Sequence, residues 1–437
     1  MPQPCFYCQP KPGRPRGATA RARQHAVMNT RRAMTDPATE IERIATLPAL
    51  ARARQLLRHT DEETLADQAE LVAIPAPPFG EAPRARRVLE RFREIGLEDA
   101  ALDDAGNVLA RLPGCAHDDA APVILSAHLD TVFPEGTDLT VRRNGQKISA
   151  PGIADDARGL AAILAIARVL VQAGVRTGAP VVFAATVGEE GAGDLRGVKH
   201  LFRDGSPWRG AAGFVSLDGT GCRRIVHRAV GSRRLRVTLT GPGGHSWADW
   251  GCANPVHALG LAIARLARLE IPSDPRSTLT VARISGGTGV NVIPERAWCE
   301  LDMRSEDAAA LGRLVAETEE AMRAAVVEAN GGRRRGTRAL SLEIEVIGDR
   351  PTGTTPPNAP LVRAARAATR FIGHTPELVA SSTDANVPIA LGIPAIAMGA
   401  GGESGGMHTL GEWYSNEGGV EGLERALLTV VSVAGVA

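Results

Sequence analysis

Three short apolar runs constrain the fold of this chain more than any other feature, because runs of this length suit strands that are buried in a sheet. They begin at Pro122, Pro180 and Ala211, and helical periodicity over residues 159–173 separates the first two. The order strand, helix, strand predicts a parallel pair within a sheet that helices cover. The carboxyl ends of such strands carry the loops that bind ligands. The sequence therefore predicts an α/β domain with a mostly parallel sheet.

The pattern of apolar residues changes after Gly231. In chain order, the next segments are a strand from Leu235, a helix over 254–269, strands from Leu279 and Trp298, a helix over 307–330 and a strand from Leu340. This βαββαβ order is that of a self-contained split-βαβ unit of the ferredoxin-like type. A buried strand from Ile393 and a closing helix over 420–436 then resume the first pattern.

These patterns predict a catalytic domain that is interrupted by a smaller, inserted domain. A chain of 437 residues exceeds one compact core of ordinary size, which agrees with two domains. The predicted segments are an Arg-rich disordered extension over residues 1–33, the first part of the catalytic domain over 34–230, the inserted domain over 231–350 and the second part of the catalytic domain over 351–437.

The distribution of charge argues against nucleic acid and membranes as partners. The formal net charge is +1, but residues 1–33 hold seven basic residues and no acidic one. The remaining chain has 43 basic and 49 acidic residues, a net charge of −6. Phosphate binding needs a basic surface, and a membrane span needs a run of about 18 apolar residues, which this sequence lacks. We therefore expect neither partner.

Six cysteines are scattered along a chain in which no secretory signal is recognised. That pattern predicts free thiols, a reducing compartment and a cytoplasmic location. Cys5 and Cys8 have the spacing of half a zinc knuckle, but no second pair follows, so the surrounding Pro- and Arg-rich segment is expected to be disordered. An organelle transit peptide and a true start at Met34 are the alternatives for this segment.

A histidine and an acid follow the first predicted strand at the edge where ligands bind. His128 and Asp130 come just after the apolar run that begins at Pro122. In an extended chain, residues two apart point to the same face, so the imidazole and the carboxylate can act together. A metal-bound histidine is normally oriented by such a carboxylate or by a carbonyl.

Further acids lie at the start of the predicted helix and after the next two strands: Asp155, Asp156, Glu189, Glu190 and Asp218. Clustered carboxylates repel one another unless cations neutralise them, and bound metal ions would supply those cations. His408, which follows the last buried strand, adds a second imidazole. Two histidines with several carboxylates suit a pair of zinc or similar divalent ions better than calcium, which prefers oxygen alone.

The motifs around these residues carry a family resemblance. They are His-Leu-Asp-Thr-Val at 128–132, Gly-Ile-Ala-Asp-Asp at 152–156, Gly-Glu-Glu-Gly at 188–191, Gly-Gly-His-Ser at 243–246, Asn-Val-Ile-Pro at 291–294 and Ser-Thr-Asp-Ala at 382–385. Over residues 60–437 the chain resembles the dinuclear zinc peptidase and deacylase family, which includes glutamate carboxypeptidase, peptidase T, acetylornithine deacetylase and succinyl-diaminopimelate desuccinylase. The resemblance implies a zinc-hydrolase catalytic domain whose inserted domain serves as a dimerisation and lid domain.

Five metal ligands are implied by this resemblance. His128 and Asp218 would bind one divalent ion, Glu190 and His408 would bind the other, and Asp155 would bridge the two. The expected ions are zinc, with cobalt or manganese as alternatives. Such a pair of ions lowers the pKa of a shared water, so the expected nucleophile is a hydroxide held between them.

The resemblance also assigns roles around the metal ions. Asp130 would orient His128, and Glu189 would be the general base that takes the proton of the water and returns it to the leaving nitrogen. His245, from the inserted domain, would enter the active site of the other subunit and donate a hydrogen bond to the oxyanion. An arginine fork suits a carboxylate, and three residues match positions where relatives bind the substrate carboxylate: Asn291, Arg304 and Arg350.

One departure from the family pattern follows the central acid pair. The resemblance implies a cis peptide bond between Asp155 and Asp156. Many relatives have a lysine soon after this pair, whereas Ala157 and Arg158 follow here. That lysine is not a metal ligand, so we expect the metal site to tolerate its loss, but the local support of Asp156 is left open.

We therefore expect metal-dependent hydrolysis of an amide bond in a small peptide or an N-acyl amino acid, by a homodimer formed through the inserted domain. The alternatives are an N-carbamoyl or N-acyl amino-acid amidohydrolase rather than a peptidase, and a non-catalytic metal-binding relative. A serine hydrolase built on Ser404 is disfavoured, because His408 follows only four residues later and no later histidine exists.

Overall fold

A computed structural model describes residues 36–116 and 120–437 of the chain. The predicted disordered extension over residues 1–33, which includes Cys5 and Cys8, lies outside these ranges, and so does Met34. The cysteines within them are unpaired thiols: Cys115, Cys222, Cys252 and Cys299.

Helices and strands alternate along most of the described chain. The α-helices are α1 (Pro37–Thr46), α2 (Pro48–His59), α3 (Asp61–Val72), α4 (Ala82–Ile95), α5 (Ala157–Gln172), α6 (Arg196–Leu201), α7 (Pro255–Leu266), α8 (Ala308–Gly331), α9 (Pro360–Phe371), α10 (Asn386–Ala390) and α11 (Gly419–Ala434). The first ten strands are β1 (Ala101–Leu102), β2 (Val108–Leu112), β3 (Val123–His128), β4 (Arg142–Asn144), β5 (Lys147–Ser149), β6 (Val181–Thr186), β7 (Gly213–Leu217), β8 (Arg224–Ala229), β9 (Gly231–Thr240) and β10 (Gly244–His245). The others are β11 (Ser277–Gly286), β12 (Val292–Ile293), β13 (Arg296–Ser305), β14 (Ser341–Arg350), β15 (Gly353–Thr354), β16 (Glu377–Ser381), β17 (Ala395–Met398), β18 (Glu403–Gly405) and β19 (Trp413–Ser415).

The largest sheet has nine strands in the order β1-β2-β6-β3-β7-β17-β8-β15, and β16 also pairs with β8. Its central strands β6, β3, β7 and β17 are parallel neighbours. Antiparallel pairs occur towards its edges, between β1 and β2, β2 and β6, β17 and β8, and β8 and β15. The predicted α/β fold with a mostly parallel sheet is confirmed.

The central strands of this sheet are apolar at almost every position because both of their faces are covered. Strands β3, β6 and β7 are buried along their whole length, as expected of parallel strands between helical layers. Helix α5 is mostly apolar and is buried from Ala157 to Leu170, with Arg158 and Arg168 as its buried charged residues, which places it in the core. Its first turn is capped by the Asp156 carboxylate, which accepts a hydrogen bond from the Gly159 amide at 3.1 Å.

A second, antiparallel sheet follows the order β11-β13-β9-β14. Together with α7 and α8 it has the βαββαβ order that the sequence predicts. Burial alternates along β13, since one face packs on the helices and the other faces outward. This unit has its own apolar cluster, in which Val237, Cys299 and Met303 of the sheet lie with Leu259 and Met322 of the helices.

A third, small sheet connects the end of the chain to the centre of the first domain. Its order is β18-β19-β5-β4, and the turn between β18 and β19 carries His408. Nowhere in residues 36–116 and 120–437 does a helix combine the length and the apolar character needed to cross a bilayer.

Candidate functional site

The predicted metal ligands meet at the carboxyl ends of the parallel strands. His128 is the last residue of β3, Glu189 and Glu190 follow β6, and Asp218 follows β7. Asp155 precedes α5, which connects the first two of these strands. Because parallel strands end at the same edge of the sheet, residues distant in sequence are brought into one cluster.

His128 is held so that one ring nitrogen faces the cluster. Its Nδ1 lies 3.0 Å from the carbonyl oxygen of Asp130, and because a carbonyl only accepts, this nitrogen carries the hydrogen. Its Nε2 lies 2.9 Å from Oδ1 of Asp155. Asp130 thus orients His128 through its backbone, while its carboxylate accepts hydrogen bonds from the amides of Glu189 at 2.9 Å and Glu190 at 2.8 Å.

His408 approaches the same carboxylate from the opposite end of the chain. Its Nε2 lies 3.0 Å from Oδ2 of Asp155 and 3.0 Å from Oε1 of Glu190. The backbone of His408 has a φ of 62°, a left-handed conformation that few residues other than glycine adopt. Hydrogen bonds to Asp155 and then to Glu190 raise the pKa of His408 to about 10.

Two groups of potential ligand atoms share Asp155. His128, Asp155 and Asp218 form one group, and Asp155, Glu190 and His408 form the other, with the atoms of each group within 4.8 Å of one another. These are the two ligand sets that the family resemblance implies, and their mixture of nitrogen and oxygen donors fits zinc-like ions. The site therefore has the composition and the spacing to hold two divalent cations around one bridging carboxylate.

The acids of the cluster are under electrostatic strain that cations would relieve. Burial raises the pKa of Asp218 to about 7, and the charge of Asp155 adds to this effect. Burial also opposes the ionisation of Asp155, but hydrogen bonds from His128 and His408 hold its pKa below the ordinary value. Positive charge is thus needed to keep the whole set ionised at neutral pH.

Glu189, the predicted base, is tied to an arginine. Oε1 of Glu189 accepts a hydrogen bond from Nη1 of Arg350 at 3.0 Å, and Nη2 of Arg350 donates to the carbonyl of Glu189. Burial raises the pKa of the Glu189 carboxyl well above its ordinary value, although the charge of Arg350 opposes this shift. Glu189 also lies within reach of His128 and Glu190 in a third group of possible ligands, but its carboxylate is engaged by Arg350.

The carboxylate of Glu412 holds the loop that carries Asp155. The fully buried carboxylate of Glu412 accepts hydrogen bonds from the amides of Gly152 at 3.0 Å, Ala154 at 2.8 Å and Asp155 at 3.1 Å. Nothing in the sequence around Glu412 indicates this role. An acid in a Gly-rich turn resembles a solvated surface residue, and the contact spans more than 250 positions of the chain.

The local support of Asp156 is also visible. The peptide bond between Asp155 and Asp156 is cis, as the resemblance implies, and the Asp156 carboxylate accepts hydrogen bonds from the amides of His128 at 3.0 Å and Gly159 at 3.1 Å. Arg158 is fully buried and donates to the carbonyls of other segments. Asp156 is therefore held by backbone donors. Arg158, which stands near where many relatives have a lysine, links α5 to the carbonyls of Ala400 and Gly419.

A second buried acid near the site was also missed as a functional residue. Asp384, within the Ser-Thr-Asp-Ala motif, accepts a hydrogen bond from the hydroxyl of Thr186, at the end of β6. Burial raises the pKa of Asp384 to about 6. The motif was recognised in the sequence, but nothing in the sequence showed which strand end this carboxyl would meet.

A cleft of about 350 Å³ opens on the cluster. Its walls include Asp155, Glu189, Glu190, Asp218 and His408 and four arginines, which are Arg224, Arg234, Arg304 and Arg350. Two of these arginines, Arg304 and Arg350, were predicted to bind the substrate carboxylate. Arg304 pairs with Asp302 at 2.7 Å.

Two predicted residues lie away from this cleft within the single chain. His245 is on β10, which pairs with β12 directly after Asn291. His245 is exposed and its Nδ1 accepts a hydrogen bond from the Trp247 amide at 3.1 Å. Neither His245 nor Asn291 is among the residues that line the cleft.

Known proteins are similar to this chain in sequence and in fold. A model of peptidase family M20/M25/M40 matches residues 124–434. A succinyl-diaminopimelate desuccinylase of Corynebacterium glutamicum is 30% identical over 241 residues, which are 54% of this chain and 64% of that protein. A cytosol non-specific dipeptidase of Escherichia coli is 27% identical over 290 residues, 60% of this chain and 57% of that protein. The matched regions thus span less than two thirds of these relatives.

Similarity to a solved structure extends further along the chain. The crystal structure of aminopeptidase PepT from Bacillus cereus is similar with a TM-score of 0.68 and 25% sequence identity. The similarity covers 86% of this chain and 99% of that chain. The described chain thus shares its overall fold with this solved structure.

Proposed function

The chain belongs to peptidase family M20/M25/M40, and from this premise we propose that it hydrolyses an amide bond in a small peptide or an N-acyl amino acid. One observation carries the proposal: Asp155 is shared by two groups of ligand atoms, each of which contains a histidine. We propose that these groups bind two divalent ions, with zinc as the native metal and cobalt or manganese as substitutes.

The residues of the cluster would divide the work of hydrolysis. His128 and Asp218 would hold one ion and Glu190 and His408 the other. Two divalent ions at these positions would lower the pKa of a bound water and polarise the scissile carbonyl. Glu189 would accept a proton from the attacking water and deliver it to the leaving nitrogen. Burial raises the pKa of the Glu189 carboxyl above its ordinary value, which supports this role because a raised pKa makes the carboxylate a stronger base.

Arginines of the cleft would position the substrate. Arg350 and Arg304 both line the cleft, and we propose that they bind the carboxylate of the substrate. Binding at Arg350 would compete with its hydrogen bond to Glu189. Substrate would therefore release the Glu189 carboxylate as it arrives.

We propose further that residues 231–350 form an inserted domain and that two chains dimerise through it. The separate apolar cluster of this unit supports the first part. The second part is supported by exposed apolar side chains close to His245, including Trp247 (87% exposed), Trp250 (76%) and Val290, since patches of this kind mark interfaces. In such a dimer, His245 and Asn291 of one chain would complete the cleft of the other, with His245 as the oxyanion donor.

The relatives support amide substrates without fixing the acyl group. One is named a desuccinylase, one a dipeptidase and one an aminopeptidase. N-carbamoyl amino acids are retained as the alternative substrate class, and a non-catalytic metal-binding protein as the alternative function. Against the second alternative stands the presence of both histidines, all three ligand acids and Glu189. A cytoplasmic location is part of the proposal, and its support is the relative named a cytosol dipeptidase.

The test uses the full chain stripped with a chelator and then reconstituted with zinc, cobalt or manganese. Dipeptides, tripeptides, N-acetyl and N-carbamoyl amino acids are assayed, and the bound metal is counted. We expect two ions per chain and metal-dependent hydrolysis of at least one class. Glu189→Gln should keep both ions and lower kcat by about a hundredfold to ten-thousandfold, whereas Glu403→Gln, which changes an exposed acid outside the cleft, should change neither.

Two results would contradict the proposal. The first is full turnover after complete removal of metal. The second is a Glu189→Gln variant that hydrolyses its substrate as fast as the unaltered protein, which would mean that this carboxylate moves no proton in the reaction.

A further inference from the structure

Three of the four arginines that line the cleft are already paired within the chain. Arg350 binds Glu189 at 3.0 Å. Arg234 and Arg304 share Asp302, at 3.2 Å and 2.7 Å. Within the described ranges, the guanidinium of Arg224 has neither an acidic partner nor a hydrogen-bond acceptor, although this residue is exposed in the cleft wall.

Other arginines at β8 do have acidic partners, so the lack of a partner is particular to Arg224. Arg223, just before the strand, pairs with Glu377 at 2.8 Å, and Arg228 pairs with Glu306 at 2.9 Å. Neither of these two arginines lines the cleft. The cation that faces the cleft is thus the one that lacks an acid.

The backbone at Arg224 is held by a buried arginine and by neighbouring strands. Arg425 is fully buried, and its guanidinium donates to the carbonyls of Gly399 at 2.7 Å and of Arg224 at 3.4 Å. Strand β8 is also paired on both sides, with β16 and β17. Because Arg425 links these two carbonyls, the backbone from which the Arg224 side chain extends has a defined position.

The surroundings of Arg224 suit the methylene groups of an acidic side chain. Val226, two residues further along β8, and Met398, at the end of β17, line the same cleft. Side chains two apart on a strand share a face, so an apolar surface lies next to the guanidinium. A carboxylate on a short aliphatic chain would contact both.

We propose that Arg224 binds a second carboxylate of the substrate, so that the preferred substrates carry an acidic side chain or a dicarboxylic acyl group. This inference rests on the proposed function. Arg350 and Arg304 belong to β14 and β13, whereas Arg224 belongs to β8. The two carboxylates of the substrate would thus be bound by cations from different sheets, one near Glu189 and one beside Val226.

The test compares pairs of substrates that differ by one charge. Glu-Ala is compared with Gln-Ala, Ala-Glu with Ala-Gln, and N-succinyl-alanine with its succinamide analogue, on zinc-loaded protein. We expect kcat/KM to be higher for the acidic member of at least one pair by about tenfold to a hundredfold, as for a charged hydrogen bond. Arg224→Gln should remove this preference and leave kcat/KM for the neutral member within about twofold.

Two further variants make the test specific. Arg223→Gln removes an adjacent cation outside the cleft and should leave the preference unchanged. Arg224→Glu should reverse it, because like charges then meet. Metal content is measured for every variant, since a cation that merely offset the charge of the metal ligands would change metal binding and affect both substrates equally.

The outcomes separate this inference from the function on which it rests. Equal hydrolysis of both members of every pair by the unaltered protein would overturn the inference and leave the proposed hydrolysis standing. An equal loss with both members in Arg224→Gln would also overturn it. If the zinc-loaded protein hydrolysed none of the compounds in this or the wider substrate panel, both proposals would fall together.

Discussion

The largest sheet and the two-stranded sheet of β10 and β12 differ in how completely one chain can build a site on them. The parallel sheet gathers His128, Asp155 and Asp218 within 4.8 Å, because its strands end at one edge. The two-stranded sheet of β10 and β12 carries His245, and Asn291 directly precedes β12, on an exposed surface away from the cleft. We infer from this difference that one chain can form the proposed metal site, whereas oxyanion stabilisation needs a second chain.

The largest effect that could break this comparison concerns His245. His245→Ala should lower kcat by about a hundredfold to a thousandfold, as for the loss of one oxyanion donor, and should leave the metal content unchanged. When this variant is mixed with Glu189→Gln and the subunits exchange, activity should return to about a quarter of that of the unaltered protein, since half of the dimers are mixed and each has one intact site of two. Steady-state assays before and after mixing check this.

The mixing experiment has a clear contrary result. If His245 acted within its own chain, each mixed dimer would contain two defective sites and no activity would return. Mass spectrometry would show whether the subunits exchange. If they exchange and the mixture stays as inactive as each variant alone, the proposal that His245 acts in the cleft of the other chain is refuted.

A smaller effect sharpens the other half of the comparison. Glu412→Gln replaces a carboxylate that accepts three backbone hydrogen bonds around Asp155. We expect metal affinity to fall by about tenfold to a hundredfold, as for the loss of an outer partner of a ligand, while the dimer persists. Glu417→Gln, at an exposed position of the same segment, is the control. Competition with a chromogenic chelator measures the affinity, and equal affinities would contradict the expectation.

The smallest expected effect is on pH dependence. In the metal-free protein, Asp155 and Glu190 raise the pKa of His408 from 6.5 to about 10. The protonated imidazole therefore contributes stability that is fully present below about pH 6.5 and is lost as the pH rises through about 10. His408→Asn should lower the metal-free Tm more at pH 6 than at pH 10.5. Thermal unfolding in chelator checks this, and an equal difference at both pH values would contradict it.

The sequence predicted the elements whose pattern is local. Helix α8 was expected over 307–330 and lies at Ala308–Gly331, because its periodicity and its Asp307 cap are contained in one segment. The βαββαβ order was likewise legible, since each strand alternates along its own length. The edge strands β1 and β15 were not predicted, because strands of two residues carry little apolar signal.

The sequence predicted those site residues whose side-chain types are typical of metal ligands. Histidines and acids at strand ends indicate metal, so His128 and His408 could be singled out. Glu412 and Arg425 could not, because a buried charge that binds only backbone carbonyls or amides looks like any surface charge in the sequence. Arg350 was expected to face substrate, and its contact with Glu189 depends on how β14 meets the loop after β6.

Asp130 contacts one ligand of each proposed ion and also the proposed base. Its carbonyl holds the ring of His128, and its two carboxylate oxygens hold the amides of Glu189 and Glu190. Any drift of this one residue would shift a ligand from each proposed ion, and the base, in a correlated way. The two proposed ions would thus share one positioning residue, so a substitution that altered metal preference at one of them through Asp130 would alter the other as well.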